Sequence, residues 1–137
     1  MRSLLDVNVL IALLQREHVY HAAAHKWWSE NRSTGWASCP LTQNGFIRIV
    51  SQPKYPSPIP VARALALLAE EIEGTDHSFW ADDLSLLDTQ RFVRERILGP
   101  KQLTDIYLLA LAVKNGGRLA SFDRSERCAA QRSGTLS

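Results

Sequence analysis

Ser3-Leu4-Leu5-Asp6-Val7-Asn8-Val9-Leu10-Ile11 sets one aspartate into an almost unbroken apolar run. An ionised carboxylate near a core is tolerated only with donors, a cation or a raised pKa, so Asp6 demands a partner. The apolar residues before it read as a buried strand ending close to the aspartate, and Leu10 to Leu14 read as the beginning of a helix. Open parallel sheets place their ligands beyond the carboxyl ends of strands, which is where Asp6 then stands.

Outward from this stretch, strand and helix signals alternate. His18 to Asn31 reads as a helix with Ala22, Ala23, Ala24, Trp27 and Trp28 on its apolar side, broken by Ser33-Thr34-Gly35. Trp36-Ala37-Ser38-Cys39 reads as a short buried strand, and Pro40 suits the first turn of a helix carrying Phe46, Ile47, Ile49 and Val50. The prolines at 53, 56, 58 and 60 specify an extended surface loop. Val61 to Ile72 is rich in Ala and Leu and reads as a helix stopped by Gly74.

His77-Ser78-Phe79-Trp80 reads as a strand before an acidic turn at Asp82-Asp83. Asp88 is expected to cap a helix through Phe92, Val93 and Ile97, ended by Gly99-Pro100. Thr104 is expected to cap a helix from Asp105 to Lys114, closed by Asn115-Gly116-Gly117. Arg118 to Phe122 reads as a strand, and Asp123 with Glu126 has capping-box spacing for a last short helix. Strands alternating with helices imply βαβ units, hence an α/β fold with a parallel sheet covered by helices.

At 137 residues the chain is expected to form one domain, residues 1–137. A formal charge of +2 permits nucleic-acid binding without requiring it. Cys39 and Cys128 lie far apart with no CxxC or histidine spacing, which signals neither a zinc site nor a disulfide framework and suits reduced thiols in a cytoplasmic protein. Asp6 and Asn8 interrupt the N-terminal run before it resembles a signal peptide, and no stretch is apolar enough to cross a bilayer.

Three aspartates occupy equivalent kinds of place: Asp6 at a strand exit, Asp105 in the first turn of an apolar helix and Asp123 just beyond a late strand. Strand C-termini and following helix N-termini share one edge of a doubly wound sheet, so the three can converge. Clustered carboxylates repel, and a divalent cation resolves the repulsion. Mg²⁺ or Mn²⁺ prefers hard oxygen ligands, binds substrate phosphates and activates a water for hydrolysis without a covalent enzyme intermediate. Taken singly, Asp105 after Thr104 and Asp123 with Glu126 also read as ordinary helix-capping acids. The combination with Asp6 carries the functional reading.

Leu4-Leu5-Asp6-Val7-Asn8-Val9-Leu10, Leu103-Thr104-Asp105-Ile106-Tyr107-Leu108-Leu109-Ala110-Leu111-Ala112 and Leu119-Ala120-Ser121-Phe122-Asp123-Arg124 resemble, in order and spacing, three motifs of PIN-domain nucleases. With His77 to Asp83 and Gly116 to Ala120, the resemblance is to the VapC-type toxins of bacterial VapBC toxin–antitoxin pairs. It implies a PIN-like three-layer fold with a sheet of four or five parallel strands, Mg²⁺- or Mn²⁺-dependent RNA cleavage, a homodimer, and inhibition by a cognate VapB-type antitoxin. On this resemblance Asp6, Asp105 and Asp123 are the metal-site acids and catalytic residues, and Ser121 is a supporting hydroxyl.

One position departs from the family pattern. Where PIN domains usually place a glutamate, the helix reads Thr42-Gln43-Asn44-Gly45-Phe46-Ile47-Arg48, with Gly45 in the glutamate's place and Asn44 beside it as a supporting amide. Such a site carries about one negative charge fewer, which bears on a second metal more than on the first.

Arg48 and Arg124 are candidate RNA contacts, and Lys54, Arg91, Arg94, Arg96 and Lys101 can extend a phosphate path. His21 and His25 form a helical i, i+4 pair without a third ligand nearby. Gln15 to His25 with the prolines before Val61 is an alternative partner groove. The competing reading is a catalytically weak RNA- or protein-binding module that keeps the fold. A phosphotransfer role for Asp6 is disfavoured, because Asp6-Val7-Asn8 lacks the second aspartate of a DxD phosphatase.

Overall fold

The computed structural model describes residues 1–122, apart from the side chain of Lys101; Asp123, Arg124, Cys128 and the capping box at Glu126 lie outside the described residues. Four strands, β1 (Ser3–Leu5), β2 (Trp36–Ser38), β3 (His77–Phe79) and β4 (Arg118–Ala120), pair in parallel in the order β3-β2-β1-β4. Five α-helices surround them: α1 (Val7–Leu14), α2 (His21–Asn31), α3 (Pro40–Val50), α4 (Val61–Glu73) and α5 (Leu103–Lys114).

The pleat sorts the strand residues into two cores. Leu5, Trp36 and Ala120 pack against residues of α1 to α4, whereas Leu4, Ala37, Cys39 and Leu119 pack against α5. Register explains the division, since Leu4 lies opposite Ala37 on one side and Leu119 on the other. Helices therefore cover both faces of a parallel sheet, the α/β three-layer arrangement expected of this sequence. None of the described helices is long and apolar enough to cross a membrane.

Two arginines fasten the edge where the strands begin. Arg2 donates to the Trp36 and Asp76 carbonyls and to the Asp76 carboxylate, each at 3.0 Å. Arg118 donates to Ser3 Oγ at 2.8 Å and to Asn31 Oδ1 at 2.7 Å. At the opposite edge, Asp82 of the acidic turn clasps two helices. Its Oδ2 accepts the Leu41 N–H in the first turn of α3 at 2.9 Å, and its Oδ1 accepts the Tyr107 hydroxyl of α5 at 3.1 Å. Burial and this bond push the Tyr107 pKa up to about 12, so the phenol remains a donor.

Three local expectations give way to tertiary structure. Helix α1 starts at Val7 because Asp6, with extended backbone, is its N-cap. Helix α5 starts at Leu103 rather than after Thr104, because the 3₁₀ turn Pro100–Gln102 runs into it and leaves Thr104 no extended backbone for capping. The helix expected after Asp88 is not formed. Asp88 Oδ1 accepts the Gln90 N–H and its carbonyl accepts the Phe92 N–H, but the chain then leaves the helical path and only the 3₁₀ turn Arg94–Arg96 follows. Fully buried Phe92 draws this segment onto Ile106 and Ala110 of α5.

Between β2 and the edge strand β3 on the α1–α4 face, Gln43 Nε2 donates to Ser38 Oγ at 2.9 Å, and Ser38 Oγ lies 2.7 Å from His77 Nε2. A serine oxygen that already accepts from Gln43 directs its own proton to an unprotonated imidazole. Burial, then the nearby Arg2 charge, hold the His77 pKa below its ordinary 6.5. Neutral His77 therefore contributes stability that is complete above pH 6.5 and lost as pH falls through the lower folded value. Urea unfolding at about pH 7.5 and about pH 5 is expected to show a smaller acid-induced loss in His77→Gln than in the parent. An equal loss in both refutes the assignment.

Candidate functional site

Asp6 leaves β1 and enters α1 only 5% exposed. Its N–H donates to the Ala120 carbonyl at 3.0 Å, carrying the β1–β4 ladder up to the aspartate. Asp6 Oδ1 accepts the Val7 N–H at 2.7 Å, and Oδ2 accepts the Ser121 hydroxyl at 2.9 Å. Leu4 and Leu119 lie on the α5 side of the sheet, and two residues further along each strand the pleat brings Asp6 and Ser121 to that same side.

Helix α5 carries the second candidate acid, Asp105. The tight turn Asn115 to Gly117 joins its C-terminus to the start of β4, so the helix runs back along the sheet against the strand direction. Twelve helical residues span about 18 Å, enough to cover three-residue strands and carry the first turn to their C-terminal edge. Asp105 in that turn, half-buried, thus shares a layer and an edge with Asp6 and Ser121. The third expected acid, Asp123, lies outside the described residues, and among those described no group of three His, Cys, Asp or Glu side chains is placed to hold a metal.

The chemistry of Asp6 suits a hard cation. Among the described residues it makes no ion pair, and each oxygen is held by a neutral donor. A carboxylate offers about four acceptor sites, so two hydrogen bonds orient it and leave lone pairs for a ligand. A buried carboxylate without a cationic partner is otherwise costly.

The other expected positions separate. Gly45 is buried and abuts α1; a Cβ there would sit 2.8 Å from Val7 Cγ2. Asn44 and Arg48 are exposed one turn apart, in a groove that Ile47, Gln52, Val61 and Leu65 also line, between α3 and α4. Among the described residues no hydrogen bond joins Asn44 to Asp6. Arg124 lies outside the described residues. His21 Nδ1 contacts the Ala12 carbonyl at 2.7 Å and stacks obliquely on His25, tying α2 to α1 rather than completing a metal site. Gln15, Glu17, His18 and Val19 meet Tyr55, Pro56 and Ser57 around a cavity of about 310 Å³.

Val7 carries no signal of its role in the sequence; it packs where a Cβ on residue 45 would sit, and Asp82 joins α3 to α5. The acidic pair Asp82-Asp83 is the sequence's signal for the clasp, and its partners Leu41 and Tyr107 are distant in sequence.

Comparison with known proteins gives a consistent result. The family model described as PIN domain matches residues 3–129. The chain is 54% identical over 125 residues to Ribonuclease VapC44 of Mycobacterium tuberculosis (strains CDC 1551 and H37Rv), covering 91% of this chain and 88% of that protein. It is 43% identical over 122 residues to Ribonuclease VapC38 of strain H37Rv, covering 88% and 84% of the two chains. Ribonuclease VapC39 of the same species is 43% identical over 125 residues, covering 90% and 89%.

Restoring a carboxylate at residue 45 is expected to fail structurally. Valine is stiff at χ1 and cannot swing aside freely, so Gly45→Glu is expected to lower stability by about 1–3 kcal/mol despite glycine's poor helix propensity. Denaturant unfolding measures this, and an unchanged or higher midpoint contradicts the packing account.

Proposed function

This chain belongs to the PIN-domain family, among its VapC-type members, and on that premise we propose that it is a toxin of a type II toxin–antitoxin pair, an Mg²⁺- or Mn²⁺-dependent endoribonuclease. The reading includes a cytoplasmic homodimer controlled by a cognate VapB-type antitoxin. The observation that carries it is Asp6: a buried carboxylate at a strand exit, fixed by Ser121 and the Val7 N–H, on the edge and layer where α5 begins with Asp105.

Asp6 and Asp105, with Asp123, are the residues proposed to hold the metal. When bound, Mg²⁺ or Mn²⁺ neutralises the clustered acids, draws in a substrate phosphate and lowers the pKa of an attacking water. In the hydrolysis a water oxygen bonds to phosphorus while the bond from phosphorus to the leaving ribose oxygen breaks. One proton leaves the water and one ends on the leaving oxygen, with no change of oxidation state. Ser121 is a positioning residue, since its hydroxyl fixes Asp6 Oδ2. The Val7 N–H fixes Oδ1 from the start of α1, where a carboxylate is also favoured by the helix dipole. With glycine at 45, the three aspartates match one divalent ion better than two.

Asp6→Asn and Asp105→Asn are each expected to reduce cleavage of single-stranded RNA at least roughly 100-fold at saturating metal. Ser121→Ala is expected to raise the metal concentration for half-maximal cleavage roughly 10–100-fold while retaining activity at saturation. Parent-like rates from both aspartate variants at saturating metal sink the nuclease reading. The lack of a carboxylate at Gly45 motivates the second reading, a binding module with a degraded site. RNA affinity that EDTA leaves unchanged, with no cleavage of any RNA supplied, selects that reading instead.

A further inference from the structure

The segment from Leu84 to Gln102 links β3 to α5 without an α-helix or a strand of its own, yet it is firmly anchored. Phe92 is fully buried against Ile106 and Ala110, and Leu84, Leu86 and Ile97 pack on the same cluster. Polar bonds brace its turns: Gln90 N–H to Asp88 Oδ1 at 3.0 Å and Leu98 N–H to Gln102 Oε1 at 2.8 Å. Ile106 directly follows Asp105, so the segment is fixed to the same turn of α5 that carries the second candidate acid.

The segment is cationic. Arg91, Arg94, Arg96 and Lys101 outnumber Asp88 and Glu95, a net +2. Arg94 and Arg96 are exposed, and Arg91 is only loosely paired with Asp88 at 3.9 Å. Arg94 makes a long 3.4 Å bond to the Leu87 carbonyl. Exposed contacts of this kind are weak and exchange readily for phosphate.

We propose that this Phe92-anchored arm is the phosphate-tracking surface for single-stranded RNA, with Arg91, Arg94 and Arg96 as the contacts. The proposal rests on the nuclease reading and locates where the polyanion passes. A substrate whose scissile phosphate lies at Asp6 and Asp105 continues past the start of α5, where the arm holds net positive charge on a support already ordered before binding. Arg48, another candidate RNA contact, faces the α3–α4 groove.

The test uses the full chain carrying Asp6→Asn, so that RNA is bound but not cut, and a labelled single-stranded oligonucleotide titrated at several salt concentrations. Replacing Arg91, Arg94 and Arg96 together by Gln is expected to lower the slope of log K against log salt by about 2, since each single-strand phosphate contact contributes roughly 0.7. Affinity should fall similarly for unrelated sequences, and the corresponding Lys variant should keep the slope. Arg32→Gln, on the turn before β2 at the other sheet edge, should change it little. Arg94→Gln alone, with an expected slope change of about 0.7, serves as a second variant if the triple variant's circular dichroism departs from the parent's. An unchanged slope while cleavage by the unmodified chain still depends on Asp6 overturns the arm and leaves the nuclease reading intact. Loss of binding to an antitoxin with RNA affinity unaltered also overturns it, assigning the surface to a protein. Failure of the Asp6→Asn parent to bind RNA overturns the arm, while cleavage independent of Asp6 overturns the nuclease reading.

Discussion

The hydrogen bond from Ser121 to Asp6 closes a separation of 115 residues. It exists only because β4 lies parallel and in register beside β1, with Leu5 opposite Ala120. The chain reaches β4 from β3 by a crossover that includes α5, and the helix's apolar face against Leu4, Ala37 and Leu119 fixes β4 beside β1. The same helix delivers Asp105 to the edge where Asp6 emerges. One topological requirement thus orders the core and assembles the candidate site.

Much of this was legible in the chain itself. An aspartate following Ser3-Leu4-Leu5 signals a strand exit, because an ionisable side chain is costly inside the apolar run of Leu4, Leu5, Val7, Val9 and Leu10. The four strands and the helices around 22–31, 40–50, 61–73 and 103–114 follow from local apolar pattern, proline and glycine. The expected three-layer α/β fold rests on those local signals and on the handedness rules of parallel sheets.

Where local signals failed, a distant partner decided. Asp88 has the chemistry of a helix cap and makes the cap-like bonds, but a helix through Ile97 would have to place Phe92 differently from the position that Ile106 and Ala110 require. Burying a phenyl ring outweighs the few tenths of a kcal/mol by which intrinsic propensities distinguish such residues. Thr104 likewise has the right side chain in the wrong backbone, since the preceding 3₁₀ turn is already helical. No local pattern could connect Asp82 to Leu41 and Tyr107, or Arg118 to Asn31, because those contacts depend on which elements become neighbours.

Gly45 joins sequence departure to structural consequence. A glutamate in that helix would add charge at the strand exits, but its Cβ would displace Val7. The glycine instead lets α3 press directly on the first residue of α1, whose N–H holds Asp6 Oδ1. On the other side Ser121 holds Oδ2, so the carboxylate is gripped by the start of α1 and the end of β4 at once. Rigid support matters more when fewer charges are present, because a ligand held by fewer carboxylates depends on each being pre-oriented rather than on a high local field. The close helix approach that excludes one acid is therefore also the packing that steadies the acid on which the site depends.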